Sequence, residues 1–286
     1  MAGNEKQFKS AFDSLHALTY FAPEVDAALT GIGLRPGRMP YFAGRSAAMG
    51  AVGAEVVAAT FYNFNPEVVA RVIPRAWTLA TPEQVLEARL DGVDKVLTRL
   101  LGDDTLKSEE VAEAAELARE AAAGCTAEGR PLYAAHAALA WPDQPHLALW
   151  HAITLLREYR GDGHIAALVL NGLGNIEALV THVATGDGFL PAVAKLTRGW
   201  SDEQWAAAEA GLTGRGILDA EGALTEAGVA LRDRVEVATE AAATGPWDHL
   251  GPEKTARLEL LCRALSRQAV EAGAFPEGVF ARQRRV

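Results

Sequence analysis

The stretch Leu190–Leu231, LPAVAKLTRGWSDEQWAAAEAGLTGRGILDAEGALTEAGVAL, contains in order the signals of two short helices, a hairpin and a third helix. Gly199 follows the first helical pattern and predicts a tight turn. A capping box at Ser201–Gln204 starts the second helix. The polar run Asp219–Gly222 predicts a hairpin turn, and Thr225 caps the third helix. This order predicts a winged helix-turn-helix with a small β-hairpin wing.

The second helix of this motif is acidic where a DNA-reading helix is usually basic. It carries Asp202, Glu203 and Glu209, and its first cation is Arg215. Helices that read the major groove present Arg, Lys, Asn or Gln near their start, where carboxylates would face phosphates. The motif therefore predicts a fold more clearly than it predicts DNA binding.

The charge of the whole chain points the same way. The 286 residues carry a formal net charge of −10, and non-specific affinity for DNA is mostly electrostatic. Hydrophobic residues make up 49% of the chain and charged residues 22%, which is typical of a globular protein that buries a core without disulfides or metals. DNA is thus a disfavoured partner, although a local basic patch would suffice to bind it.

Helical periodicity dominates the rest of the sequence. A capping box at Thr81–Gln84 and an Asn65 cap before a proline predict further helix starts. We expect a mainly α protein with a helical N-terminal domain, residues 1–144, and a C-terminal domain, residues 145–286, that holds the winged helix and the last helices. The proposed boundary lies at the proline-rich turn Trp141–Pro145.

Two resemblances support this fold. The pattern L-x-x-R-G-I-L-D-x-x-G-x-L-T-E-A-G, residues 212–228, resembles the recognition-helix end, wing and next helix start of MarR-type regulators. The segments YFAGR, FYNFNPEVV, LLREYRGDGHIAAL and RGW together resemble an actinobacterial family of helix-turn-helix proteins over most of the chain. The second resemblance implies a fold and no defined activity.

The densest polar run, REYRGDGH at residues 157–164, is the first candidate site. We expect a turn here between two apolar helices, with Asp162 and His164 close enough to act as a catalytic pair. A histidine beside a carboxylate can serve as a general base or a proton relay. Arg157 and Arg160 would then bind an anionic ligand.

A structural interpretation of the same run stays open. Arg157, Glu158 and Arg160 could form a solvated helix end, with His164 satisfied by Asp162 as a first-turn histidine.

Four residues elsewhere are candidates for ligand binding. Glu177 would join the site if its helix packs against the polar run; the alternative is an exposed glutamate. Arg45, Tyr62 and Asn63 belong to aromatic segments that could line an apolar cavity with one cationic group, or could form ordinary core.

Several kinds of site find no support in the sequence. The seven histidines are scattered, and Cys125 and Cys262 have no metal-binding or disulfide spacing, so no metal is predicted. No nucleotide-binding pattern and no serine-hydrolase elbow occur, and the identity of any cofactor stays unknown. The charged N-terminus and the absence of a long apolar run predict a cytoplasmic protein that does not contact membranes.

Two function classes remain open. In the first, the chain is a small-molecule-binding protein or enzyme on a repurposed winged-helix scaffold, with the ligand in an interdomain pocket near the Arg157–His164 turn. In the alternative, it is a MarR-like, ligand-responsive, homodimeric DNA-binding regulator. Charge favours the first class, and analogy of fold favours the second. The sequence does not decide whether a bound molecule is also transformed.

Overall fold

The chain is mainly helical, as predicted. The structure, a computed structural model, describes residues 12–186 and 189–275. Short 3-10 turns occupy Leu18–Tyr20 and Ala47–Met49. The α-helices with defined bounds are α1 Pro23–Gly31, α2 Arg38–Ser46, α3 Ala54–Phe61, α4 Pro66–Ala70, α5 Ile73–Ala76, α6 Pro82–Leu101, α7 Asp103–Leu106, α8 Glu109–Ala122, α9 Pro131–Ala137, α10 Pro145–Leu170, α11 Asn175–Val183, α12 Pro191–Arg198, α13 Asp202–Gly214, α14 Glu226–Ala241, α15 Gly245–Leu250 and α16 Pro252–Glu271.

Local sequence signals explain where many of these helices begin. The Thr81–Gln84 and Ser201–Gln204 capping boxes are both formed, each with its two reciprocal hydrogen bonds. The side chains of Asn65 and Thr225 accept backbone N–H groups at the starts of α4 and α14. These four predictions are confirmed, because capping depends only on residues within one turn.

The predicted turn at residues 160–163 is wrong. Helix α10 runs without a break from Pro145 to Leu170 and contains this segment. Glycine inside a helix costs about 1 kcal/mol relative to alanine, which made Gly161 and Gly163 look like breakers. The burial of neighbouring helical side chains outweighs this cost, since Tyr159 and Asp162 are both buried.

Contacts divide the chain into two units, each made of segments distant in sequence. Unit 1 contains the described residues up to Val52, together with Val72–Asp162 and Ala243–Phe275. Unit 2 contains Gly53–Arg71 and the described residues of Gly163–Ala242. The predicted domains 1–144 and 145–286 stay a prediction.

Unit 1 is a helical assembly around one apolar core. Helix α1 packs on α6, and α8 packs on both α15 and α16. The core includes Leu18, Val93, Ile153 and Leu258, none of which exposes more than 1% of its surface. The same unit holds the candidate site described below.

Unit 2 contains the helix-turn-helix. Helices α12 and α13 are joined at Gly199, whose left-handed conformation (φ 76°, ψ 30°) ends α12 and allows the sharp turn. Ala194, Trp205 and Leu212 are buried in the unit's own apolar core. The predicted helix–turn–helix order is therefore present in the fold.

The predicted β-hairpin wing is not formed as two strands. An isolated antiparallel bridge pairs Leu218 with Leu224, and no extended strand occurs within residues 12–186 or 189–275. The Asp219 carboxylate accepts the N–H groups of Glu221 and Ala223, which fixes a tight local turn. The next helix starts directly after its Thr225 cap, so no length is left for a returning strand.

In the part of the chain that the structure describes, no single helix is long and apolar enough to cross a membrane. Helices α10 and α11 are long and apolar enough only when taken together, and they are bent by 100° at the break between them.

Candidate functional site

A buried ion pair joins two helices of unit 1 that are far apart in sequence. Arg45 on α2 donates from Nη2 to both carboxylate oxygens of Glu158 on α10, at 3.0 and 2.9 Å. The side chains are 13% and 4% exposed. Arg45 also donates to the hydroxyl of Tyr41, one helical turn earlier, at 3.1 Å. Buried charges of this kind are stable only when they are paired and hydrogen-bonded.

A second guanidinium converges on the same carboxylate. Arg157 donates to Oε1 of Glu158 at 3.1 Å and lies 3.7 Å from the carboxylate of exposed Asp13. Its guanidinium carbon lies 5.8 Å from the centroid of the Tyr20 ring. The predicted site residues Arg45 and Arg157 are thus brought together by Glu158.

A third cation, Arg89 on α6, has a different environment. It donates to the carbonyl oxygen of Gly44 at 2.5 Å and lies 3.4 Å from Nε2 of His136. Its guanidinium stacks over Trp150, 4.7 Å from the ring centroid. Among the described residues, no carboxylate lies within ion-pair distance of Arg89.

The pKa values of the cluster reflect this crowding of cations. Burial alone would raise the pKa of Glu158, but Arg45 and Arg157 outweigh it and lower this pKa to about 2. Burial and nearby Arg89 lower the pKa of His136 to about 4, so its imidazole is neutral. The cluster therefore contains one ionised glutamate, three guanidiniums and a neutral histidine.

A cavity of about 80 Å³ borders this cluster within unit 1. Its polar wall is formed by Arg45, Arg89, Tyr20 and Tyr41, and exposed Asp26 lies among the lining residues. The remaining lining residues are apolar or small: Thr19, Ala22, Val25, Leu29, Gly37, Pro40 and Gly44. An apolar pocket with a few converging polar groups is the usual form of a small-molecule site.

Asp162 has a structural partner in unit 1. Its Oδ2 accepts the backbone N–H groups of Leu132 and Tyr133 at 3.0 and 2.9 Å, in the first turn of α9. It therefore caps α9 from a distant part of the chain. Burial raises its pKa to about 6, against the opposing effect of these two hydrogen bonds.

His164 belongs to unit 2 and faces a different neighbour. The Thr239 hydroxyl donates to the carbonyl of Val235, and it therefore accepts from Nδ1 of His164 at 2.8 Å. Residues two apart on a helix do not face each other, and Asp162 and His164 both lie within α10. The structure does not bring this predicted catalytic pair together, because the turn that would do so is absent.

The other predicted ligand-binding residues have structural contacts. In unit 2, Glu177 pairs with Arg215 at 2.9 Å and accepts the N–H of Gly174 at the start of α11. The Tyr62 hydroxyl donates to the carbonyl of Leu173 at 2.6 Å.

Asn63 and Arg160 are the last two residues that were predicted to bind a ligand. The Asn63 carbonyl accepts the indole N–H of Trp200 at 2.9 Å, within unit 2. Arg160 is half-buried on α10 in unit 1. A ligand-binding role for either residue stays a prediction.

Three important residues were not predicted from the sequence. Glu158 lies in the candidate run 157–164 but was given a role only in the alternative of a solvated helix end, and that alternative is wrong for Glu158, because its side chain is 4% exposed. Arg89 and Tyr20 were not singled out, since nothing local distinguishes a helical Arg or Tyr that lines a cavity. For Glu158, its position in a run of apolar helical residues was an available signal.

The exposed side chains of α13, the second helix of the helix-turn-helix, are acidic or small. The exposed positions of α13 include Asp202 and Glu203 together with Ala206, Ala207 and Ala210. No Lys or Arg lies on this helix.

The nearest cations are engaged within unit 2. Lys195 forms an ion pair with Asp202, and Arg215 with Glu177. The Arg198 guanidinium lies over the Phe64 ring at 4.7 Å. None of the three is presented as an isolated phosphate-binding group.

Residues 5–276 match the model of a helix-turn-helix family. The chain belongs to this helix-turn-helix family. No curated protein and no solved structure match the chain. Within the described residues, no group of three or more His, Cys, Asp or Glu side chains is arranged to hold a metal ion. Membership of the family supports a helix-turn-helix fold and leaves the activity to be argued from the site.

Proposed function

We propose that this helix-turn-helix protein binds a small molecule at the cavity beside Arg45 in unit 1. The observation that carries the proposal is that two guanidiniums, those of Arg45 and Arg89, line this cavity, and that Arg45 is bound to the buried Glu158 carboxylate. The sequence placed the ligand near residues 157–164; the proposal keeps Arg157 and Arg45 and centres the site on the cavity.

Energetic reasoning supports a functional role for the cluster. A buried ion pair contributes little net stability, because desolvation offsets the attraction between the charges. A cluster of strongly perturbed titratable groups beside a cavity is a candidate functional site on physical grounds. The acidic surface of α13 favours a scaffold role for the helix-turn-helix.

A thermal-shift screen of neutral and anionic small molecules tests the proposal. A ligand at about one hundred times its Kd should raise the free energy of unfolding by about 2.7 kcal/mol. Arg45→Lys keeps the charge but loses the guanidinium whose Nη2 binds Glu158 while its Nη1 binds Tyr41, so the ligand-induced shift should fall.

The matched control is Arg99→Lys, which alters an exposed pair with Glu24 in the same unit. Its ligand-induced shift should equal that of the wild type. Ligands that stabilise wild type and Arg45→Lys equally would contradict the proposed site.

The second candidate is a ligand-responsive, homodimeric DNA-binding regulator, with the MarR-like resemblance and actinobacterial origin that the sequence predicts. Family membership favours it. A gel-shift assay with the DNA upstream of its own gene, at low salt, tests it where electrostatic binding is strongest. Retardation at micromolar protein would support the regulator, and no retardation would exclude it in favour of the scaffold.

A further inference from the structure

Hydrogen-bond donors outnumber acceptors in the cluster around Glu158 in unit 1. Each guanidinium offers five N–H donors and no acceptor, and Arg45, Arg89 and Arg157 all lie in this cluster. Arg45 and Arg157 share one buried carboxylate, that of Glu158. A ligand that completes the cluster should therefore accept hydrogen bonds and carry negative charge.

Arg89 and Tyr20 have hydrogen-bonding capacity left for such a ligand, and both line the cavity. The hydrogen bonds of Arg89 to described residues all come from Nη1, which leaves Nε and Nη2. The Tyr20 hydroxyl makes no hydrogen bond to the described residues. By contrast, Arg45 is already neutralised by Glu158.

His16 provides an independent sign of an incomplete polar site. It is fully buried, and neither ring nitrogen has a hydrogen-bond partner among the described residues. Its ring lies 5.4 Å from the Tyr20 ring and stacks on Trp150 at 5.5 Å. Burial, followed by Arg157 and Arg89, lowers its pKa, so the ring is neutral and has one N–H to donate. Buried polar atoms without partners are few in folded proteins.

We propose that the cavity binds the carboxylate group of a small organic acid, held by the Arg89 guanidinium and the Tyr20 hydroxyl. The inference rests on the function proposed above and names its ligand class. A planar guanidinium matches a carboxylate through two parallel hydrogen bonds. The cavity of about 80 Å³ accommodates a head group of a few heavy atoms. Asp26 among the lining residues disfavours a second negative charge on the ligand.

The test is a titration followed by NMR of the full chain, with the His16 ring signals as the local probe. The probes are acetate, its neutral isostere acetamide, and inorganic phosphate, all at constant ionic strength. The variants are Arg89→Gln and Tyr20→Phe. The control is Arg119→Gln, which removes an arginine stacked over Trp141 in the same unit and outside the cavity.

We expect acetate to bind and to shift the His16 signals, with acetamide about tenfold or more weaker, because it lacks the charge-assisted bonds. Arg89→Gln should weaken acetate about tenfold to a hundredfold, and Tyr20→Phe about threefold to tenfold. Arg119→Gln should bind like the wild type. If Arg89→Gln does not fold, Tyr20→Phe carries the test, since it removes one hydroxyl only.

Other results would overturn the inference. Equal affinity for acetate and acetamide, or unchanged acetate affinity in both cavity variants, would remove the carboxylate assignment. Phosphate binding without acetate binding would assign a different anion. A neutral ligand that depends on Arg45, together with no acetate binding, would refute this inference and leave the proposed function standing. The absence of any ligand in both experiments would refute both.

Discussion

The Glu158 carboxylate is the group on which the buried cluster of unit 1 depends. Glu158→Gln keeps the size of the side chain but removes the charge that Arg45 and Arg157 share. Breaking a buried pair by removing one partner costs about 3–5 kcal/mol, because an uncompensated charge stays buried. A pKa lowered from 4.5 to about 2 corresponds to about 3 kcal/mol, which agrees with this range.

The stability of Glu158→Gln should also differ from that of the wild type in its dependence on pH. Since the pKa of Glu158 is lowered on folding, its contribution is complete above about pH 4.5 and is lost as the pH falls toward 2. The difference in free energy of unfolding between wild type and Glu158→Gln should be largest at neutral pH. This difference should shrink as the pH falls from about 4.5 toward 2.

Urea unfolding followed by circular dichroism, repeated between pH 3 and pH 7, measures both effects. The control is Glu113→Gln, which breaks an exposed pair with Arg257 whose side chains are 43% and 45% exposed. Such exposed pairs contribute about 0–1 kcal/mol. Equal losses in the two variants, or a loss at Glu158 that does not change with pH, would refute the argument.

Three further substitutions test other contacts. Asp162→Asn should remove the decrease in stability that the wild type shows as pH rises from about 4 to 6, because burial raises the Asp162 pKa to about 6; a pH titration of stability checks this. Gly228→Ala should lower the free energy of unfolding by about 2 kcal/mol or more, and with it the thermal midpoint, since a Cβ would lie 2.2 Å from the carbonyl oxygen of Ile217. Asn65→Asp keeps the helix cap but loses the donor to Gly199, and urea unfolding should show a loss of about 1–3 kcal/mol.

Signals within one helical turn were predicted well from the sequence. The Ser201–Gln204 capping box and the Thr225 cap are formed as expected, because their partners are three residues away. Gly228 closes the L-T-E-A-G pattern, and the structure gives its physical reason. Helix α14 passes so close to the carbonyl of Ile217 that no side chain fits there.

Signals that depend on tertiary burial were not predictable in the same way. Gly161 and Gly163 suggested a break that burial of α10 overrides. Glu158 meets Arg45 across 113 residues of sequence, and no local pattern encodes that meeting. Arg89 becomes a cavity residue only through the packing of unit 1. The sequence therefore indicated the chemical character of the candidate site at Arg157 and Arg45 and missed the residues that complete it.

The division of the chain into two units has a consequence for its synthesis. Unit 1 uses Ala243–Phe275, which leave the ribosome after all of Gly163–Ala242. About 130 residues are therefore translated between the end of α8 and the start of α16, which takes on the order of ten seconds at typical elongation rates. By the end of that interval α11–α14 of unit 2 have been translated, whereas α16 of unit 1 has not. The faces of α6 and α8 that pack on α16 in the folded chain therefore stay uncovered until this helix has been made.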